Sequence, residues 1–423
     1  MVNDLRSLLH ESSELAPYDV FDASTILRAG RSRTRKRRAT VIGAAGLAAA
    51  AVIGSAVALG GLAEDQTDRT SPSDNTSDPV GKVLNLEDAT AVKLEPVFRS
   101  VYKGGYGADY RFVDGVTDDG QVIVRENSGD PELSRLKLVD LATKAETPLP
   151  DVPGRVGPVL EASSERVVYS ADVDASGQGG SWDLEARALV LDRATATWRT
   201  LRWSDLPTGW ILGRDIGPDG RLYLAIAPDV DDPIFSNTGK LFSVSLTDPT
   251  DVRDEDLVVG NFAIDDDHLV WSELTQTINN KLTVRNLDTG DQLSFDPKSG
   301  PCMQATLGLE AGHIVMSQYC GNQDGVTDDR VQVVTTDGEP VVTIQDDEIQ
   351  GTVDNGGHLV ITAKGQGGEG FYSYDLDSGD FIRLSTSTSS LWSSASVPEG
   401  YLAWAEEWPD SPMGWVQSVA EAP

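Results

Sequence analysis

Four histidines, two cysteines and 67 acidic residues are the side chains through which this 423-residue chain could do chemistry. His10 stands apart, while His268, His313 and His358 recur 45 residues apart. Three histidines suit a metal, yet equal spacing places them at equivalent points of successive repeats. Gln121, Arg166, Arg221 and Tyr401 fill the same slot elsewhere, so the pattern reads as a polar strand start. The segment DVDASGQGGSWD at 172–183 is more specific. Asp172, Asp174, Ser176, Gln178 and Asp183 offer oxygen atoms alternating around a glycine turn, and calcium takes about six to eight oxygens. A solvated polar loop is the alternative. Acid pairs such as Asp266-Asp267, Asp328-Asp329 and Asp346-Asp347 could act as acid and base, but chance supplies many in so acidic a chain. No nucleophile elbow, zinc-protease helix, Walker loop or dinucleotide fingerprint stands in a supporting context.

These residues must be held by something, and the chain shows a repeat from residue 110 onward. One short strand recurs as QVIVRE at 121, RVVYSA at 166, RLYLAI at 221, HLVWSE at 268, HIVMSQ at 313, HLVITA at 358 and YLAWAE at 401. Turns such as Asp119-Gly120, Asp219-Gly220 and Gly356-Gly357 precede it. A second strand follows each, as LKLVDL at 136 or WVQSVA at 415, and there is no helical period. About four strands in a unit of about 45 residues matches a propeller blade. The expectation is an all-β, seven-bladed β-propeller of four-stranded antiparallel blades. The seventh unit lacks an outer strand, and VKLEPVFRSVY at 92–102 is predicted to supply it. That closure removes free sheet edges. Cys302 and Cys320 sit symmetrically about Ala311 in the fifth unit, so they face each other across a hairpin and are predicted to form a disulfide outside the cytoplasm.

The repeat resembles bacterial propellers of the TolB-like and WD-repeat class over roughly residues 90–420. The Gly-His and Trp-Asp signatures are missing, so the resemblance implies architecture alone. The 172–183 loop resembles the calcium loop of an EF-hand, with Gly177 at the sharp turn, but it lacks flanking helices and a closing glutamate.

Ahead of the repeat lie three zones. Residues 1–38 hold eight Lys/Arg against five Asp/Glu and end in RAGRSRTRKRR. Residues 40–62, TVIGAAGLAAAAVIGSAVALGGL, carry no charge across 23 positions, enough to cross about 30 Å of hydrocarbon. The basic flank predicts a cytoplasmic N-terminus and an extracytoplasmic bulk. A cleaved signal ending at Ala56-Val57-Ala58 is the rival. The expected division is a basic tail at 1–38, a transmembrane helix at 39–62, a disordered stalk at 63–82 and a propeller at 83–423. The net charge of -33 falls almost wholly on the last part and argues against nucleic acid as a partner.

Loops between second and third strands are the long ones, and long loops on a rigid scaffold favour function. That face carries Trp182, Trp210, Phe235, Tyr319, Trp392 and Trp408, aromatic groups suited to a peptide or sugar. The leading expectation is a non-enzymatic binding module or scaffold tethered to the membrane, engaging a protein or glycan by this face. One alternative is an extracytoplasmic hydrolase or lyase using acidic residues at the channel mouth, marked by clustered carboxylates of raised pKa. Another is transmembrane signalling, since LRSLLHESSEL and DASTILRAGRSRTRKRR resemble tails of actinobacterial membrane proteins associated with sigma factors.

Overall fold

The structure is a computed structural model. It describes residues 81–423 apart from 103–109, 128–133, 155, 176–182, 228–237, 275–280, 299–301, 324–325, 347–348, 354–356, 365–367, 388–396 and 409–413. The expected tail, transmembrane helix and stalk up to residue 80 lie outside the described residues; Lys82, expected to end the stalk, opens a strand instead. Among the described residues no helix is long and apolar enough to cross a membrane.

The described chain folds as a seven-bladed propeller of antiparallel blades. Blade 1 runs Tyr110–Val116, Gln121–Asn127, Ser134–Asp140 and Glu146–Pro148 from channel to rim. Blades 2 to 6 repeat this order, with second strands at Arg166–Ser170, Arg221–Ala227, His268–Ser272, His313–Gln323 and His358–Ala363. In blade 7, Tyr401–Glu407 pairs with Trp415–Glu421, which pairs antiparallel with Phe98–Tyr102. The N-terminal stretch therefore closes the ring as the sequence led us to expect.

The second strands are apolar at nearly every position because each blade is sandwiched between two others. Successive side chains point to opposite faces of a strand. Val122 and Val124 accordingly pack into a cluster with Ala403 and Val419 of blade 7, while Ile123 packs with Val167 and Tyr169 of blade 2. One such cluster fills each blade-to-blade seam around the ring. Buried polar groups cross the same seams. Gln417 Oε1 accepts the Val113 N–H at 2.8 Å. The Tyr169 hydroxyl donates to Asp114 at 2.7 Å, and Asp114 also pairs with Arg125 at 3.0 Å. The turns joining first to second strands are tight, with Gly120 and Gly220 at φ 74° and 72°, where a Cβ is strained.

Cys302 and Cys320 form a disulfide. Met303 pairs with Tyr319 and Gln304 with Gln318 in the first hairpin of blade 5, so the next pair outward is the two cysteines.

Two features escape the repeat. Lys82–Asn85 adds a fifth, parallel strand to the rim of blade 5, and Thr90–Ala91 does the same for blade 6.

Candidate active site

The inner strands of blades 3, 4 and 5 each deliver a carboxylate to the tight-turn end of the channel. Asp215 is the penultimate residue of Trp210–Ile216, Asp265 follows Phe262–Ile264, and Glu310 ends Met303–Glu310. Asp215 and Asp265 are anchored to the next blade. Asp215 accepts N–H groups from Ile264 of blade 4 at 3.2 Å and from its neighbour Ile216 at 2.9 Å. Asp265 accepts from Asp267 at 3.0 Å, His268 at 2.7 Å and Gly312 of blade 5 at 3.2 Å. The His268 ring nitrogen Nδ1 stands 3.7 Å from Asp265. Glu310, half-buried, has no hydrogen bond or ion pair to its carboxyl among the described residues.

The electrostatics follow from this placement. Burial pushes Glu310 from the ordinary 4.5 up to about 7, and the negative charges of Asp265, Asp266 and Asp215 add to it. Burial likewise raises Asp215 to about 6; its two N–H donors oppose the rise and Asp265 reinforces it. The charge of Asp215, two blades away, is the smallest of these contributions to Glu310. The arrangement can hold a carboxyl that gains or loses a proton near neutral pH, beside two carboxylates fixed by backbone donors.

The described aromatic candidates and the calcium-loop aspartates fall at the opposite end. Trp210 begins the inner strand of blade 3, Tyr319 lies late in the second strand of blade 5, and Trp408 follows the second strand of blade 7. All three are half-buried on the long-loop side. Trp182, Phe235 and Trp392 lie outside the described residues. Of the calcium loop, Asp172 gives its carboxylate to Arg214 of blade 3 at 2.6 Å. Asp174 sits in a small hairpin where Val173–Asp174 pairs with Leu184–Glu185, just beyond Asp183; Ser176 and Gln178 lie outside the described residues. His268, His313 and His358 open the second strands of blades 4, 5 and 6. Among the described residues no group of three or more His, Cys, Asp or Glu is placed to hold a metal.

Sequence reasoning named acid pairs but passed over Asp215 and Glu310. The signal that would have found them is position: each stands within two residues of the end of its inner strand, just before the recurring turn.

No family model matches the chain, and no curated protein does. Solved structures do resemble it. A Mycobacterium tuberculosis puromycin-hydrolyzing peptidase is 13% identical, with 79% of this chain and 56% of that chain covered at a TM-score of 0.49. An oligogalacturonate lyase in complex with manganese is 14% identical, covering 79% and 98% at 0.48. The Myceliophteria thermophila Cps50 (Swd1) propeller domain is 12% identical, covering 76% and 99% at 0.42. The chain spans about half the length of the peptidases it matches. At these identities the likeness concerns fold and assigns no activity. The expectation that the chain is not an enzyme is corrected: the structures it resembles include prolyl and acylaminoacyl peptidases and a lyase.

Proposed function

We propose that the propeller is an acid–base enzyme, a hydrolase or lyase acting outside the cytoplasm, with Glu310 as its proton-transferring carboxyl. The observation that carries this reading is that Glu310 alone of the three inner-strand carboxyls has no partner among the described residues, while burial, reinforced by its neighbours' charge, holds it near neutrality. A general acid or base works best with a pKa near the operating pH. Burial sets most of the proton affinity of Glu310, and the charges of Asp265, Asp266 and Asp215 add to it.

The disulfide supports an oxidising compartment, since such bonds are rare in the cytosol. The uncharged run at 40–62 supports a membrane tether with the propeller beyond it. The test is a screen of the full chain against peptide and glycan substrates between about pH 5 and pH 8. Glu310→Gln should abolish any turnover found, while Trp210→Ala at the opposite end should retain kcat. Turnover that survives Glu310→Gln, or a chain inert across the screen, would reject the reading.

A further inference from the structure

The sequence leaves the rim between blades 1 and 2 open. The outer strand of blade 1, Glu146–Pro148, is three residues long, where that of blade 2, Thr197–Arg202, has six. Pro148 and Pro150 stop it, because proline has no N–H to give a ladder. The Leu149 N–H still donates to the Leu136 carbonyl at 2.9 Å, and Trp198 Nε1 of blade 2 donates to the Pro150 carbonyl at 3.0 Å. Between the two blades here lies a cleft of about 600 Å³, inside the range of about 300–1,000 Å³ usual for small-molecule sites. Leu138, Leu149 and Leu191 with Pro148 make its apolar wall.

The polar lining comes from two turns of blade 2, Ser164-Glu165 and Asp192-Arg193. The Arg193 N–H donates to the Glu165 carbonyl at 3.0 Å and fastens one turn to the other. The one basic residue lining the cleft is already neutralised. The Arg193 guanidinium donates to both oxygens of Asp119 at 3.0 and 2.9 Å, to Gln121 at 2.8 Å and to the Ser163 carbonyl at 2.7 Å. Glu165 is exposed, and its carboxyl has no hydrogen bond or ion pair among the described residues. Asp192 accepts the Thr195 N–H at 2.9 Å. The donors of Thr195 hold its carboxyl below the usual carboxylate range, and the charge of Arg199 on the adjacent strand adds least.

We propose that this cleft binds a small cationic amphiphile, with a primary ammonium held by Glu165 and Asp192 and an aliphatic body laid on Leu138, Leu149 and Leu191. Charge complementarity selects the head: two carboxylates line the cleft, its one guanidinium is spent on Asp119, and the chain carries a net charge of -33. The leucine wall selects the body, since apolar surface gains by leaving water. An alcohol of the same length gains the wall alone, and a carboxylate meets repulsion. The cleft lies at the rim of blades 1 and 2, whereas Glu310 ends the inner strand of blade 5, so this site stands independently of the proposed chemistry.

The test follows leucine methyl groups of the full chain by NMR while hexylammonium, 1-hexanol and hexanoate are each titrated in. Hexylammonium should move Leu138, Leu149 and Leu191 and bind about fivefold tighter than hexanol, the gain expected of an exposed ion pair. Hexanoate should bind weakest, and Leu293, exposed on blade 4, should stay unmoved. In Glu165→Gln with Asp192→Asn, which keeps both side-chain shapes, hexylammonium should fall to the level of hexanol. Equal binding of ammonium and alcohol by wild type overturns the proposal, as does a preference that survives in the variant. Methyls that answer none of the three probes, or a Leu293 that moves with the rest, overturn it too. Should the variant misfold, wild type in about 0.5 M salt decides, because screening should remove most of the ammonium's advantage; an undiminished preference overturns the assignment to these carboxylates.

Discussion

Replacing Glu310 with Gln should make the protein more stable at alkaline pH, and by a calculable amount. The carboxyl rises from 4.5 to about 7 on folding, so the folded state holds its proton more tightly than the unfolded chain does. Stability from this group is complete below the unfolded value and is lost as pH climbs through the folded one. At about 1.36 kcal/mol per pH unit the ceiling is about 3.4 kcal/mol. Glu310 is only half-buried, and solvent screening brings the figure to about 1–2 kcal/mol. Glutamine keeps the shape of the protonated acid and escapes the loss. Urea unfolding of both proteins at constant ionic strength, from about pH 4.5 to pH 8, reads the difference from midpoints at a common slope. Glu310→Gln should gain about 1–2 kcal/mol on wild type across that range. A difference that stays flat with pH would refute the reasoning, because then no strained proton sits at Glu310.

Three further perturbations probe the scaffold. Cys302→Ser with Cys320→Ser opens a bridge of sequence separation 18 and should cost about 3 kcal/mol by loop entropy, measured by denaturation with and without reductant. Asp114→Ala leaves Arg125 and the Tyr169 hydroxyl without this shared partner across the seam of blades 1 and 2 and should cost about 3 kcal/mol. Trp404→Ala removes the largest side chain of the cluster joining blades 6 and 7, where it packs with Val360, Phe371 and Ala420. It should cost about 3–5 kcal/mol, with hydrogen exchange rising first in Gly370–Asp375 and Trp415–Glu421.

The blades were legible because their burial is doubled. A strand packed on both faces, such as Val122-Ile123-Val124, becomes a short apolar run, and five of the seven runs follow a turn whose glycine takes positive φ, at Gly120, Gly220, Gly312, Gly357 and Gly400. The disulfide was legible from hairpin symmetry alone. The parallel strand Lys82–Asn85 was not, because it is four residues long and stands outside the repeat. The acidic site was hidden for a different reason. Among 67 acidic residues, Asp215 and Glu310 look ordinary; three-dimensional closure of the ring brings residues 95 positions apart to one channel mouth. Attention went to the long loops, where Trp210 and Tyr319 do share an end, while the perturbed carboxyls lie at the other.

The central claim is that Glu310 at the tight-turn end titrates near neutrality. The direct measurement is a pH titration by carbon NMR of the full chain labelled at glutamate side-chain carboxyls, with Glu310→Gln to assign the resonance. One carboxyl is expected to titrate at about 7 and to vanish in the variant. If every glutamate titrates near the ordinary 4.5, the channel mouth holds no such acid and the proposed enzyme loses its proton carrier.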